Sequence, residues 1–379
     1  MPNNNVYANA MGEAYERLEG LGYERGAMDF ANHGPMAAEA LSALGFGDRV
    51  AAWVEDYKRG VAHHDPPQPR FRLDPSDEGS WREALGRFER AGDWEELFAR
   101  ELADRPWRDV LSTWWPRLLP GLMAALTHGL IRTAHAVRCM AATDRPEKLA
   151  LQELSRGLAY WAARYRALPG QVELTGEQTV AGAVAALTRI GREAVPPGGS
   201  RLAGLHDSPG YVAALTGLRP LDAGRRLSEM TTTFAGVNMS HPDAPPVPLI
   251  HGVTAPAAMR IALAHLPEDQ HAKSIAAMWH VHVALLLMFT NDTGTEAQSL
   301  ANASHTTLPS WQELFERAIV HGDEHVIKFT EACSRENAIQ PDPRFAAAVR
   351  AAQRRIPPRA LGGGAATAGR SGRPPQRRD

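Results

Sequence analysis

Residues 47–60 read Gly-Asp-Arg-Val-Ala-Ala-Trp-Val-Glu-Asp-Tyr-Lys-Arg-Gly, with Val50, Trp53, Val54 and Tyr57 as the large apolar side chains. They fall at i, i+3, i+4 and i+7, which places all four on one face of an α-helix and rules out the alternation of a half-buried strand. The same spacing recurs outward in both directions, in stretches dominated by Ala, Leu, Glu and Arg. Upstream, residues 34–45 enter a helix behind Pro35, a favoured opening. Downstream, residues 81–119 give two or three short helices, and 122–139 and 147–168 read as long core helices. Residues 174–191 and 210–235 carry weaker helical patterns, and 255–266, 271–290, 310–321 and 324–336 complete the set. No series of alternating segments joined by hairpin turns is present. The expected fold is all-α: one large multi-helix domain over residues 1–355, with Pro/Gly-rich loops at 65–76, 195–210 and 238–249. From Ile356 the chain turns to Pro, Gly and Arg, and 356–379 reads as a disordered tail.

The composition removes several function classes. Basic and acidic residues nearly balance, 41 against 43, so no global charge points to nucleic acid or a membrane surface. Two cysteines, Cys139 and Cys333, exclude a disulfide scaffold and a Cys-rich zinc module, and both read as small apolar fillers of helices. No basic segment followed by an apolar run marks a secretory signal. The longest apolar run, around 281–289, falls short of the ~18 residues that span a bilayer. A cytoplasmic protein is expected. No G-x-G-x-x-G opens a helix behind a strand, and no phosphate loop, G-x-S-x-G or H-E-x-x-H occurs.

What remains is a set of marked histidines. His33 stands in Asn32-His33-Gly34-Pro35, His128 in Thr127-His128-Gly129-Leu130-Ile131-Arg132, His251 in His251-Gly252-Val253-Thr254-Ala255-Pro256, and His325 in Gly322-Asp323-Glu324-His325-Val326-Ile327-Lys328. His33 reads either as a ligand or as part of a helix-capping turn facing water. His128, placed inside the 122–139 helix, needs partners for two ring nitrogens, which a metal or a buried hydrogen bond supplies. His251 reads as a ligand or as a loop-end residue opening a helix, with Thr254 as N-cap and Pro256 in the first turn. His325 and Lys328, three apart, share a helix face. Lys328 can relieve its burial by pairing with Asp323 or Glu331, by losing its proton and binding metal, or by forming a carbamate with CO2. Arg132 and His135 share the His128 face, as groups around the site or as a surface polar stripe. His280 and His282 face different sides of their helix. His63, His64, His241, His265, His271 and His305 read as surface residues.

Taken in order, Asn32 to Leu41, His128 to Arg132, His251 to Thr254 and Gly322 to Lys328 resemble the questin oxidase family, over about residues 30–335. These are oxygenases of aromatic polyketide pathways, associated with Baeyer–Villiger-type or ring-opening oxidation of anthraquinones and related polycyclic phenols. The resemblance implies a metal site, Fe(II) for O2 chemistry, held by His33, His128, His251, His325 and Lys328, the lysine through nitrogen or as a carbamate. It implies a small aromatic substrate and O2 as reactants, with Arg132 or His135 supplying a proton or steadying a phenolate. NADPH use has been described in the family, yet no dinucleotide motif is visible in this chain. Trp53, Tyr57, Trp114, Trp115 and Trp279 serve as pocket walls or as core. A homodimer is compatible with the sequence. A zinc-type hydrolase using the same ligands and a non-catalytic helical binding protein are the competing classes.

Overall fold

The computed structural model describes residues 4–143, 147–189, 202 and 204–359. Among them the regular structure is helical, apart from a two-stranded antiparallel hairpin, β1 (Glu24–Arg25) with β2 (Phe30–Ala31). The helices in its first half are α1 (Asn4–Leu18), α2 (Gly34–Ala43), α3 (Gly47–Gly60), α4 (Glu78–Arg82), α5 (Ala91–Asp104), α6 (Trp107–Leu118), α7 (His128–Ala141) and α8 (Lys148–Ala163). Those in the second half are α9 (Val180–Ala186), α10 (Tyr211–Thr216), α11 (Ala223–Ser240), α12 (Pro246–Leu263), α13 (His271–Phe289), α14 (Ser299–Ser304), α15 (Trp311–His321), α16 (Glu324–Ile339) and α17 (Pro343–Arg355). The all-α expectation is met. In α3 the buried residues are the four that the spacing selected, Val50, Trp53, Val54 and Tyr57.

Four helices form the centre. α7 packs on α2, α8 and α12, and α16 packs on α2, α12 and α17. The peripheral pairs close around them, α1 on α2 and α3, α5 on α8, and α11 on α12 and α17. Cys139 and Cys333 are buried free thiols, as expected of apolar fillers.

Several boundaries differ from the sequence expectation. The helix expected over 122–139 begins only at His128, because Ala125, Leu126 and Thr127 all take left-handed backbone conformations (φ 44°, 55° and 68°). The break expected at 238–249 shrinks to a few residues. α11 runs through Ser240, and α12 starts at Pro246, where a missing N–H costs nothing. His251 and Thr254 therefore lie inside α12, and Thr254 donates to the Ile250 carbonyl rather than capping. Pro256 also lies inside α12. The carbonyl of Gly252, which would receive the N–H that proline lacks, accepts instead from Nε2 of His282 at 2.9 Å.

Helices α1, α14 and α17 add to the expected set. Ile356 is buried and Arg359 is ion-paired, so the ordered chain passes the expected boundary at 356. The rest of the tail expectation falls on 360–379, outside the described residues, as does 190–201 of the 174–191 and 195–210 expectations. One stretch, Glu268–Phe289, is long and apolar enough to cross a membrane, and 67% of its apolar window is buried within the protein.

Candidate metal centre

Each marked histidine is presented by a local device. Asn32 accepts from the Gly34 N–H at 3.0 Å and donates to the Gly22 carbonyl, which fixes the turn before α2. The backbone N–H of His33 then donates to the Tyr57 hydroxyl at 2.7 Å, while its ring takes no part in capping. His128 is the first residue of α7, at the exit of the left-handed turn. At α16, Gly322 ends α15 and Asp323 caps the next helix, accepting from the N–H groups of His325 and Val326. That cap sets His325 and Lys328 in the first turns. The glycines after His128 and His251 allow close packing. A Cβ on Gly129 would lie 2.6 Å from the Trp161 backbone, and one on Gly252 would lie 2.3 Å from the Phe234 ring.

The imidazoles meet. Ring centroids are 4.6 Å apart for His33 and His128, 4.4 Å for His33 and His325, and 4.6 Å for His128 and His251. His33, His128 and His325 each offer a ring nitrogen, all within 4.8 Å of one another. His251 joins through its contact with His128, outside that tightest trio. Lys328 Nζ lies 3.4 Å from Nδ1 of His33, and no carboxylate pairs with it within ion-pair distance among the described residues. The expected Asp323 or Glu331 partners are engaged elsewhere, Asp323 with His325 and Glu331 with Arg138 and Arg335.

Four Nδ1 atoms have neighbours. His128 Nδ1 lies 2.5 Å from the Ala125 carbonyl, His251 Nδ1 lies 3.0 Å from the Thr127 hydroxyl, and His325 Nδ1 lies 3.3 Å from Asp323. His33 Nδ1 faces Lys328. Partners on Nδ1 are what orients a histidine whose Nε2 serves as a ligand. Nε2 of His128 is buried and has no hydrogen-bond partner. The left-handed turn thus does two jobs, with Ala125 aligning His128 and Thr127 aligning His251.

Burial, reinforced by the positive charge of Lys328, holds His33 and His128 well below the usual imidazole range, and burial with His128 nearby does the same to His251. Burial also brings Lys328 down to about 8, against the raising influence of Glu324 and Asp323. His33, His128 and His251 are therefore neutral nitrogen donors near neutral pH, and one buried ring nitrogen lacks a partner. That donor set fits a borderline divalent ion such as Fe(II) or Zn(II).

Arg132 and His135 are not brought into this cluster. Arg132 is buried in a two-pronged pair with Glu153 (2.6 and 2.8 Å) and lies over the Tyr23 ring. His135 lies 2.5 Å from Glu39, which also accepts from the Tyr7 hydroxyl, within a buried network that continues through Arg138 to Glu331. Of the aromatic candidates, Tyr57 touches the site through His33, with Trp53 stacked on it at 5.1 Å. Trp114 belongs to a cluster with Trp81, Trp94 and Phe98, and Trp279 donates to the Ala214 carbonyl. Trp115 lines a cleft of about 750 Å³ that includes none of the four histidines.

His280 and His282 do face different partners, Tyr211 and Gly252. His241, expected at the surface, is buried against Glu296. Sequence reasoning passed over Thr127 and Arg25, whose positions beside the site follow from tertiary packing alone. Comparison with protein-family models and with curated proteins finds no match to this chain.

Proposed function

We propose that the chain is a non-haem, metal-dependent oxygenase of the questin oxidase type, acting on a polycyclic aromatic substrate. One observation carries this reading. Histidines carried by four segments distant in sequence turn their rings to one another, three of them (His33, His128 and His251) are held below the usual imidazole range by burial, and a buried Nε2 is left without a partner. A bound metal would supply the partner that this buried ring nitrogen lacks among the protein groups. His33, His128, His251 and His325 would hold the ion, with Lys328 joining through nitrogen or as a carbamate. Fe(II) bound there would supply the redox chemistry that O2 activation requires. The chain's own contribution is alignment: Ala125, Thr127 and Asp323 fix three of the rings. The buried walls around His33, His128 and His251 exclude water. Lys328, at about 8, has a neutral fraction near neutral pH that can act as a base or take up CO2. Oxygen insertion and ring cleavage share these requirements. The sequence shows no dinucleotide motif, so a reductant would come from the substrate or a partner protein.

The test is metal content after growth with iron and after anaerobic Fe(II) loading, measured by mass spectrometry on wild type and on a His33→Ala, His128→Ala double variant. The expected result is near-stoichiometric iron in wild type, lost in the double variant with its circular dichroism unchanged. Stoichiometric zinc with oxygen-independent turnover would transfer the site to hydrolysis. Metal-free protein after loading would overturn the ligand set.

A further inference from the structure

Beside the histidines lies a buried excess of positive charge. Glu324, the residue before His325, is shared by two guanidiniums, Arg25 on one oxygen and Arg359 on the other. One carboxylate thus serves two full positive charges. Arg25 gives Glu324 only its Nη2, while Nε and Nη1 are buried and have no partner. The residue as a whole is 8% exposed. An unpaired donor on a charged group is costly, and natural structures seldom leave two on one buried guanidinium.

The position of Arg25 ties this excess to the metal centre. Its guanidinium lies 4.4 Å from the centre of the Tyr57 ring, and the Tyr57 hydroxyl receives the N–H of His33. Arg359 lies against the same ring at 4.9 Å. His63, whose ring is 5.3 Å from that of Tyr57, also has a buried Nε2 without a partner. The positive charge of Arg25 reaches both His33 and Lys328, whose acidities it raises. Against Arg25, Arg359 and Lys328 stand only the carboxylates of Glu324 and Asp323, so a bound divalent cation would enlarge the imbalance. A ligand anion corrects it.

We infer that Arg25, with His63 beside it, forms an anion site at the edge of the histidine cluster, which receives an ionised oxygen of the substrate, a carboxylate or a phenolate. This deepens the proposed function by naming the substrate's charge, and it rests on that reading only for the word substrate. The anion site stands on its own contacts. Arg25 is carried by the short β1–β2 hairpin, whose Met28 and Phe30 are exposed at 75% and 62%. The site therefore lies directly beneath the surface rather than deep among the core helices. It also takes over the phenolate-steadying role for which Arg132, locked to Glu153, has no free donor pair.

The experiment is calorimetric titration of the full chain, metal-free and Zn(II)-loaded, with benzoate and with benzyl alcohol as its uncharged match. Benzoate is expected to bind wild type at least tenfold more tightly than benzyl alcohol. Arg25→Gln should lose at least tenfold in benzoate affinity and Arg25→Lys less, with benzyl alcohol unaffected. Equal benzoate affinity in wild type and Arg25→Gln would overturn the site, and so would equal affinity of wild type for the two probes. If Arg25→Gln does not fold, the Arg25→Lys variant and the two-probe contrast still decide. Titration of the His33→Ala, His128→Ala variant separates the two readings. Benzoate binding retained there places the anion on Arg25 whatever becomes of the metal, whereas binding lost there assigns the anion to the histidine cluster and overturns the inference.

Discussion

The central helices carry two buried polar layers, and they are built on opposite principles. α2, α7, α12 and α16 all contribute to both. In the first layer stand His33, His128, His251, His325 and Lys328, nitrogen groups crowded together with an orphan Nε2 and no carboxylate on the lysine. In the second, further along the same helices, Glu39 meets His135 and Arg138, Arg138 meets Glu331, Glu331 meets Arg335, and Arg260 meets Glu336. There each charge has a countercharge. A satisfied network rigidifies a core, whereas an unsatisfied one at the same depth survives only if something else completes it. On the function proposed above, the first layer would be the working site and the second its foundation.

The largest expected effect breaks the foundation. Glu39→Gln removes the carboxylate shared by Tyr7, His135 and Arg138 and leaves a buried guanidinium short of charge. A loss of about 3–5 kcal/mol is expected in urea unfolding. His128→Gln in the metal-free protein, a change of similar volume at a neutral group, should cost less than about 1.5 kcal/mol. Equal losses at the two positions would erase the distinction between the layers.

Acid separates the layers next. In the metal-free protein, burial holds the His33, His128 and His251 imidazoles below their ordinary range. As pH falls below about 6.5, the unfolded chain takes up protons that the folded chain refuses, so stability declines by up to about 1.4 kcal/mol per pH unit for each group. The carboxylates of the foundation respond later. Burial works to raise the Glu39 carboxyl, but Arg138 and His135 override it and hold it at about 2. Its contribution is complete above the ordinary carboxyl value and is lost as pH drops from about 4.5 towards 2. Urea midpoints across pH 7.5 to 3 should show both declines. Replacing the three histidines with Gln should lessen the first, to which other buried histidines such as His135 and His282 also contribute, and Glu39→Gln should lessen the second. A single decline below pH 4.5 in the wild type would show that the histidine layer is not held neutral.

The two layers were unequally legible in the sequence. Helix α3 could be read because its buried face repeats at three and four, with Val50, Trp53, Val54 and Tyr57, whereas α2, α7, α12 and α16 are buried nearly all round and were legible through their helix-forming composition. α17 carried the same kind of signal, with Phe345, Val349 and Ala352 buried behind an Asp342 cap and Pro343, yet it falls outside the expected set. The first layer stood out through its His-Gly pairs and the Asp323 cap before His325. The second did not, because Glu39, Arg138 and Glu331 look like any charged residues on a helix until three helices meet. Two starts were unreadable for a physical reason. The α12 helix tolerates Pro256 only because His282, from α13, reaches the freed Gly252 carbonyl. Residues 122–127 carry helix-forming side chains, and tertiary contacts overrule that propensity.

That turn yields the smallest predicted effect and the finest cut between the layers. Ala125, Leu126 and Thr127 take positive φ in succession, and each such L-residue costs about 1–2 kcal/mol. Ala125→Gly relieves one of them. Glycine returns about 0.5–1 kcal/mol of that through its freer unfolded chain, so the net gain should be about 0.5–1 kcal/mol in urea unfolding. The Ala125 carbonyl aligns His128, and a looser turn aligns it less well. Metal affinity measured by competition with a chelator should therefore fall while stability rises. A change in that direction is the signature of strain held for function. If both quantities rose together, the left-handed turn would be only a packing accident beneath α7, and the histidine layer would need a different explanation for its orientation.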